Sequence, residues 1–431
     1  MAKSFRFLAL PILLSLLLFT ACKKGLDVPE VISEVTTPAV DTAKAVTPTP
    51  TTPVTTGRIV PLGTGSGDLM IDGNTLGVKC NDVIKVHAGT YSSITIKNIN
   101  IGCNVTVQND GLVQITGNND HMFLSNVSNL TISGNGTSGI SRGFVSRDNP
   151  QHRSIIITGA AHDLTIQGFS FKNIGDYVIY FNNSQGIYNG SVGSYSDNIK
   201  LLNNDCDNTG VFLQMEGSIS DGVIKGLVKH LEIAYLTFKN SNAGHAVQVE
   251  NADDYNIHHN TITDVNSTNN AHNGIFTMMG SGSFHHNLVT NHQGNAIRAW
   301  ARSFGTTPKD ILIYNNTVVN SRKYSGFEVQ SFSYYMIAGK TTFANAKVYN
   351  NICGDLNLSK DWVGVVVDIY SLMGGKCEVY NNKGFNFPSQ SNTSNIVNVQ
   401  ADITPVVTNN TYYASASAAG VPETKNLQIQ P

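Results

Sequence analysis

Short runs of alternating apolar and polar residues recur along the middle of the chain, and each run ends in a polar turn. In YNIHHNTI, Ile257 and Ile262 stand on either side of such a turn, and the alternation places every second side chain on one face of a strand. Six runs end in Asn, at Asn204, Asn260, Asn287, Asn316, Asn351 and Asn382. From Asn260 onward these residues are 27, 29, 35 and 31 positions apart. A repeat of this length with strand periodicity predicts a solenoid of stacked coils.

The recurring Asn predicts how the turns are stabilised. Backbone groups in a turn need partners, and adjacent coils lie ~4.8 Å apart, so each Asn can bond its own turn and the Asn of the next coil. HDLTIQGFSF and KHLEIAYLTF fit the same register, with Phe169 and Leu236 in place of Asn. The repeat resembles the right-handed parallel β-helix of pectate lyase-like proteins over roughly residues 58–420. The resemblance implies an all-β fold, a single-stranded right-handed parallel β-helix with an Asn ladder, and does not by itself define an activity.

The N-terminal segment predicts export. Lys3 and Arg6 precede the apolar run FLALPILLSLLLF, which is too short for a comfortable membrane span. The run ends in LFTAC, which resembles a bacterial lipobox with Phe19 where that motif usually has Leu. The resemblance implies cleavage before Cys22 and lipid on its thiol. An ordinary signal peptide with a chance Cys is the alternative.

Three segments follow from these signals. Residues 1–21 are expected to be a lipoprotein signal peptide, residues 22–57 a lipid-attached linker rich in Thr and Pro, and residues 58–431 a β-helix domain capped at both ends. The mature protein is expected as a monomer in the cell envelope, anchored in the outer membrane through Cys22, with the leaflet left open.

Five further cysteines remain, and an odd number cannot all pair with each other. Export permits disulfides, and Cys80–Cys103 is a candidate bridge. Cys206, Cys353 and Cys377 are expected to be isolated buried thiols.

Charge narrows the choice of partner. Lys and Arg number 28 against 30 Asp and Glu, which gives a formal net charge of -2, and only 13% of residues are charged. Such a chain has no basic field that would attract nucleic acid.

A second strand in each coil carries polar side chains on its outward face, where we expect the functional site. Alignment of these strands predicts one outward column of Gln214, Gln248, Phe276, Arg298, Glu328 and Val366. The next predicted column contains Glu216, Glu250, Met278, Trp300, Gln330 and Asp368. The strands begin at Asp176, His245, Asn273, Asn295 and Ser325, with His272 and His292 in the preceding turns.

This face is suited to a polysaccharide. Trp300 and Phe276 offer apolar platforms for sugar rings. Hydrogen bonds to hydroxyls would come from Gln214, Gln248, Asn273, Asn295 and Gln330. Arg298 can pair with the carboxylate of a uronate, and His245 or His272 has the pKa range of a general base. Glu250 and Glu328 complete the set of candidate catalytic residues.

The stretch GNAIRAWARSFG, with the later ILIYNNTVVNSRKYSGFEVQS, resembles the alginate lyase and chondroitinase B group of polysaccharide lyases. Arg298, Asn315, Asn316 and Glu328 match the pattern of that group, which implies cleavage of a uronate-containing glycan by β-elimination. Ala296 stands where the group has a Glu metal ligand, and VQSFSYY has no Lys where the group places its base. We therefore predict no metal site and no cofactor, with calcium as an open alternative.

Two other functions remain open. Glu216 and Glu250 stack one coil apart, as a glycoside hydrolase with paired carboxylates would need. A non-catalytic, glycan-binding or adhesive solenoid would need only the Trp, Gln and Asn residues. His258 and His285 are continued by Tyr in later coils, which indicates an aromatic stack on a different side of the coil more than a metal site.

Overall fold

The computed structural model describes residues 57–184, 186–266, 272–390, 395–400 and 403–421. Cys22, the segment assigned to the signal peptide and all of the predicted linker except Gly57 lie outside these residues, so their predicted roles stay predictions. No helix in the described ranges is both long and apolar enough to cross a membrane. Strands dominate the described chain and helices are few and short, which confirms the all-β class.

The strands form three parallel sheets, and the chain passes from the first to the second to the third before the next coil begins. The long strands Val83–Ile115 and Met122–Ser133 take part in more than one sheet. The other strands of the first sheet are Ile59–Leu62, His162–Gln167, Ser196–Leu202, Val228–Ala234, the second halves of Val247–His258 and Gly274–His285, Lys309–Tyr314, Ala344–Tyr349, Cys377–Tyr380 and Val406–Thr408. The second sheet contains Phe144–Asn149, Phe169–Ile174, Asp205–Asp207, Thr237–Ser241, Thr261–Val265, Leu288–His292, Thr317–Ser321, Ile352–Gly354, Lys383–Phe385 and Thr411–Tyr413. The third contains Ser66–Asp72, Ile155–Thr158, Ile179–Asn182, Leu213–Met215, the first halves of Val247–His258 and Gly274–His285, Asn295–Ala301, Phe327–Gln330, Val367–Ile369 and Val397–Val399.

A few short strands and helices lie outside the three parallel sheets. Two antiparallel pairs join Ser218–Ser220 to Val223–Lys225 and Ser303–Phe304 to Thr341–Thr342. The α-helices are Gly73–Leu76 and Ala416–Ala419, and the 3-10 helices are Ser333–Tyr335 and Pro388–Gln390.

The turn between the first and second sheets has the same backbone in most coils. The residue just before the ladder position has a left-handed conformation, with φ between 54° and 56°. These residues are Asn203, Tyr235, His259, His286, Asn315, Asn350, Asn381 and Asn409. Asn and His accept this conformation more readily than most residues. One turn of this kind rotates the chain into the next sheet, while the flanking Ile, Val and Leu side chains fill one continuous core.

The Asn ladder is present. Asn260 Nδ2 donates to Asn287 Oδ1 at 2.9 Å, and the same bond links each following ladder residue to the next. The ladder continues through Asn382 to Asn410, a last member that the sequence reasoning missed. Phe169 and Leu236 replace Asn as predicted, and their backbone N–H groups donate to Asn204 and Asn260.

The cysteines behave as the sequence suggested. Cys80 and Cys103 form a disulfide. Cys206, Cys353 and Cys377 are free and buried.

Candidate functional site

The outward face of the third sheet carries a continuous polar column. Strand pairing aligns Tyr180, Gln214, Gln248, Thr277, Arg298, Glu328, Asp368 and Asn398. At ~4.8 Å per coil the column is roughly 34 Å long. Residues this close together on one face can contact several sugar units of a polymer.

Two members of the predicted column are wrong. Phe276 and Val366 point into the core and are fully buried, so Phe276 offers no platform to a substrate. Thr277 and Asp368 occupy the outward positions instead. In the runs GIFTMM and VGVVVD, apolar residues occupy the odd as well as the even positions. The alternation of apolar and polar residues therefore does not fix the register of these strands, and a slip of one residue exchanges the inward and outward faces.

The neighbouring column is corrected in the same way. Met278 is buried in the core, and Met279 pairs with Trp300. Trp300 is half-buried against Phe332 and Tyr335, with ring centroids 5.5 and 5.8 Å away. Gln330 pairs with Trp300 and is almost fully buried, so its contact with a substrate would require movement of its surroundings.

A buried carboxylate organises the centre of this face. Glu328 is 0% exposed, and its Oε1 accepts from Arg298 Nε at 2.5 Å while its Oε2 lies 2.8 Å from His272 Nε2. Arg298 Nη1 also donates to the backbone oxygen of His272 at 3.0 Å. Arg298, Glu328, His272 and Asp368 are called the charge cluster below. One fully buried acid therefore bonds the guanidinium through Oε1 and lies at ion-pair distance from the imidazole through Oε2, although Oε2 makes no hydrogen bond of good geometry, and both partners are still partly exposed.

Asp368 extends the charge cluster by one coil; the sequence placed it on this face, but in the neighbouring column and without a catalytic or binding role. It is 1% exposed, and its Oδ1 accepts from Asn398 Nδ2 at 2.8 Å, whereas its Oδ2 has no hydrogen-bond partner among the described residues. Burial raises the pKa of Asp368 to about 6, and the charge of Glu328 adds to this effect, against hydrogen bonds from Ser325 and Asn398. A carboxyl that titrates near neutral pH is typical of functional sites.

Aromatic side chains from the turns cover the charge cluster. Tyr324 stacks on the ring of His272 with centroids 4.0 Å apart, and Trp362 lies within 6.2 Å of both rings. Trp362 is 44% exposed, so it presents an apolar surface at the edge of the cluster. Neither residue lies on a repeating strand, which is why the pattern of the coils did not reveal them.

The start of the third-sheet strands holds positioning groups. Asn295 is buried, with Oδ1 3.2 Å from His272 Nε2 and Nδ2 donating to Ser325 O, so it orients His272. The half-buried Asn273 precedes it, and its backbone oxygen accepts from Asn295 N. His245 is half-buried, and burial lowers its pKa. His292 is not near this rim: it is buried on the second sheet, where burial lowers its pKa to about 4.

A second acidic group lies at the other end of the face. Glu216 and Glu250 follow the paired residues Met215 and Val249 on adjacent strands. Burial raises the pKa of Glu250, and its Oε2 accepts from Gly217 N at 3.0 Å while the charge of Glu216 raises that pKa further.

The surroundings of this acidic pair contain two residues that sequence reasoning missed. Tyr180 hydrogen-bonds Glu216, and burial with this bond raises the pKa of the phenol to about 12. Arg302 is 1% exposed, donates to Asn251 Oδ1 at 2.7 Å and to Glu250 O, and lies over the ring of Tyr335.

Calcium of the kind that the lyase resemblance implies does not fit these residues. Ala296, at the position of the expected Glu ligand, points into the apolar core. In the described ranges no group of three or more His, Cys, Asp or Glu side chains is arranged to hold a metal ion. We derive no step through such an ion.

The histidines of the HHN turns lie on the first sheet, away from the charge cluster. His258, His285, Tyr314, Tyr349 and Tyr380 form one stack with centroids 4.7 to 5.0 Å apart, which confirms the predicted aromatic stack.

No protein-family model matches the chain, and no curated protein sequence matches it. Solved structures similar to it include the A-module of a mannuronan C-5 epimerase from Azotobacter vinelandii, at 9% identity and a TM-score of 0.41, over 79% of this chain and 93% of that one. A PL6 alginate lyase in complex with a trisaccharide shares 15% identity at a TM-score of 0.38, over 81% and 87% of the two chains. A PL6 family polysaccharide lyase from Pseudopedobacter saltans shares 10% sequence identity at a TM-score of 0.35, and the match covers 84% of this chain and 96% of that one. These neighbours are β-helix proteins of the pectate lyase-like kind, and at such identities and TM-scores they carry no argument about activity.

Proposed function

We propose that the protein is an exported, lipid-anchored, right-handed parallel β-helix that cleaves an extracellular uronate-containing polysaccharide by β-elimination. The observation that carries this proposal is the buried carboxylate of Glu328, which holds Arg298 and His272 side by side at the surface of the third sheet. A polymer bound along the polar column would pass over both of them.

Arg298 is the group that would bind the sugar carboxylate. Its Nε and Nη1 are committed to Glu328 and to the backbone of His272, and its Nη2 has no hydrogen-bond partner among the described residues. The side chain is 22% exposed, so a uronate can reach this edge of the guanidinium. Neutralising the carboxylate acidifies the neighbouring C5 proton, because the negative charge that develops there is delocalised into the carboxyl group.

His272 is the group that would remove this proton. Its Nε2 faces Glu328 and Asn295, so a neutral ring that donates from Nε2 keeps the lone pair on Nδ1. When Nδ1 takes the C5 proton, the C–H electron pair forms the C4=C5 double bond and the C4–O bond breaks. The leaving oxygen then takes up a proton, for which the newly formed imidazolium is a suitable donor.

A glycoside hydrolase is the second candidate. Glu250 has a raised pKa beside Glu216 one coil away, and a hydrolase needs one protonated and one ionised carboxyl group. A glycan-binding protein without activity is the third, supported by the exposed ring of Trp362 and the half-buried Trp300.

The test is incubation of the purified protein with acidic and neutral polysaccharides. New reducing ends with new ultraviolet absorbance indicate a lyase, reducing ends without absorbance a hydrolase, and retention without cleavage a binder. Arg298→Ala should abolish the lyase reaction, and Arg298→Lys should restore little of it because the fork geometry is lost. His285→Ala, on another sheet, is the matched control and should retain activity. Full activity of Arg298→Ala on the cleaved polymer would exclude this site.

A further inference from the structure

A buried cation lies just beyond one strand of the third sheet. Arg302 directly follows the strand Asn295–Ala301 and is 1% exposed. Among the described residues, five other arginines form ion pairs with acidic side chains and Arg302 forms none. Burial lowers its pKa to about 10, so the side chain is still charged at neutral pH. A buried charge without an opposite charge is costly, which indicates that the fold keeps this cation for a partner.

The hydrogen bonds of the guanidinium are incomplete. Its Nη2 donates to Asn251 Oδ1 at 2.7 Å and to the backbone oxygen of Glu250. The ring of Tyr335 lies over the guanidinium, with Cζ 4.2 Å from the ring centroid, and the phenol group interacts with it as well. Nε and Nη1 are nevertheless buried without a hydrogen bond of good geometry to any described residue. One N–H on Nε and two on Nη1 therefore remain for a further acceptor.

Other donors without partners lie close to the same tyrosine. Trp300 Nε1, Gln330 Nε2 and Ser331 Oγ are buried, and none has a hydrogen-bond partner among the described residues. Trp300 pairs with Gln330 on the adjacent strand, and its ring lies 5.8 Å from that of Tyr335. Tyr335 thus contacts both Trp300 and Arg302. Buried donors without acceptors are suited to a ligand that carries several oxygen atoms and a negative charge.

One layer of side chains separates these donors from solvent. It belongs to residues 332–340, which we call the aromatic strap. Tyr334 of the strap is 61% exposed, and Tyr335 is half-buried. The strap is fastened at its far end, where Lys340 Nζ donates to Gly222 O at 2.5 Å. A rotation of the Tyr335 side chain would uncover the guanidinium and leave this fastening and the sheet in place.

We propose that Arg302 binds the carboxylate or sulfate group of an acidic sugar, which displaces the ring of Tyr335 from the guanidinium. An ionised oxygen acceptor bonds arginine more strongly than the face of an aromatic ring does. Arg302 lies four residues beyond Arg298, roughly 13 Å away across the coils and not along the polar column. If the proposed function is correct, the sugar bound at Arg302 is therefore an acidic branch of the polymer that passes over Arg298.

The experiment is a titration of the full chain with glucuronate, with inorganic sulfate and with glucose as the uncharged control. The parent protein carries Arg298→Ala, which removes the arginine of the charge cluster from the measurement. It also carries Trp362→Phe, which leaves Trp300 as the one tryptophan of the chain. Because Trp300 lies 5.8 Å from Tyr335, its fluorescence reports displacement of that ring.

Three further substitutions are compared in this parent. Arg302→Met removes the cation, and Tyr335→Ala removes the ring that competes with the ligand and keeps every hydrogen bond of Arg302 to Asn251 and Glu250. The matched control is Lys229→Met, which also removes one cation stacked on a tyrosine, Tyr195 at 4.3 Å, but on the first sheet. Melting temperatures show whether each variant is folded.

Glucuronate or sulfate should change the fluorescence of the parent saturably, and glucose should not. Arg302→Met should bind the anion at least about tenfold more weakly, Lys229→Met as the parent does, and Tyr335→Ala more tightly. Preference for glucuronate assigns the site to a carboxylate, and preference for sulfate assigns it to a sulfate ester. The proposal is wrong if neither anion binds to the parent or to Tyr335→Ala, or if Arg302→Met binds as tightly as the parent. Since Arg298 is absent throughout, failure of the lyase proposal leaves this result unchanged.

Discussion

Replacing Asp368 with Asn should stabilise the protein at neutral pH. The carboxyl group is 1% exposed and its pKa is about 6, against an ordinary value of 3.8. One pKa unit corresponds to 1.36 kcal/mol, so the difference amounts to about 3 kcal/mol. Asn resembles the protonated carboxyl in shape and charge, and it keeps an oxygen that can accept from Asn398.

The sign of the effect follows from where the proton is bound. Well below pH 3.8, Asp368 is protonated in both the folded and the unfolded chain and does not affect the pH dependence of stability. Between pH 4 and 6 the unfolded chain releases the proton while the folded chain retains it, so the free energy of unfolding falls as pH rises. Above pH 6 the folded protein holds a buried carboxylate at its full cost. The Asn variant has no such loss.

The measurement is urea-induced unfolding of both proteins between pH 4 and pH 7.5, followed by tryptophan fluorescence. The advantage of the variant over the wild type should grow by about 2.4 kcal/mol across this range, because the unfolded carboxyl is already partly ionised at pH 4. Asp310→Asn is the control of opposite sign, because the hydrogen bond from Lys347 lowers the pKa of Asp310. That pair is about a third exposed, so the control should be less stable at pH 7.5 by less than about 1 kcal/mol. If Asp368→Asn gains nothing over the wild type between pH 4 and 7.5, the carboxyl is not buried in the way described.

Two further predictions concern the ladder and the membrane anchor. Asn287→Ala removes the acceptor of Asn260 N and Nδ2, and should cost about 1–3 kcal/mol of unfolding free energy; a melting temperature equal to wild type would contradict the ladder's role. Cys22→Ala should release the protein from the membrane fraction of cells, and unchanged association would exclude lipid on that thiol.

The ladder and the core could be predicted from the sequence because both depend on residues that recur at regular positions in each coil. The amide of Asn can accept from one coil and donate to the next at the same turn, and its recurrence marks Asn260 and its successors without other information. In the same way, Gln248, Arg298 and Glu328 were placed on one face because their strands alternate clearly between apolar and polar residues.

The rest of the site could not be read in this way, for two physical reasons. Where both the odd and the even positions of a strand are apolar, as around Phe276, the sequence does not indicate which of the two sets of side chains faces the core. The residues that cover or surround the charge cluster, such as Tyr324 and Trp362, come from turns between the second and third sheets. Those turns differ in length from coil to coil, so no periodicity aligns them with the strands they cover.

The Asn ladder also determines by how many residues this chain can grow or shrink during evolution without loss of its fold. Consecutive rungs are separated by 27 to 35 residues, since the turns absorb the differences while the bond between rungs stays the same. A duplication or deletion that runs from one rung to the next keeps every inward side chain inward, whereas other lengths break the ladder or exchange the faces. Each such event would add or remove one outward residue of the third sheet. The length of the polar face is therefore inherited together with the number of rungs.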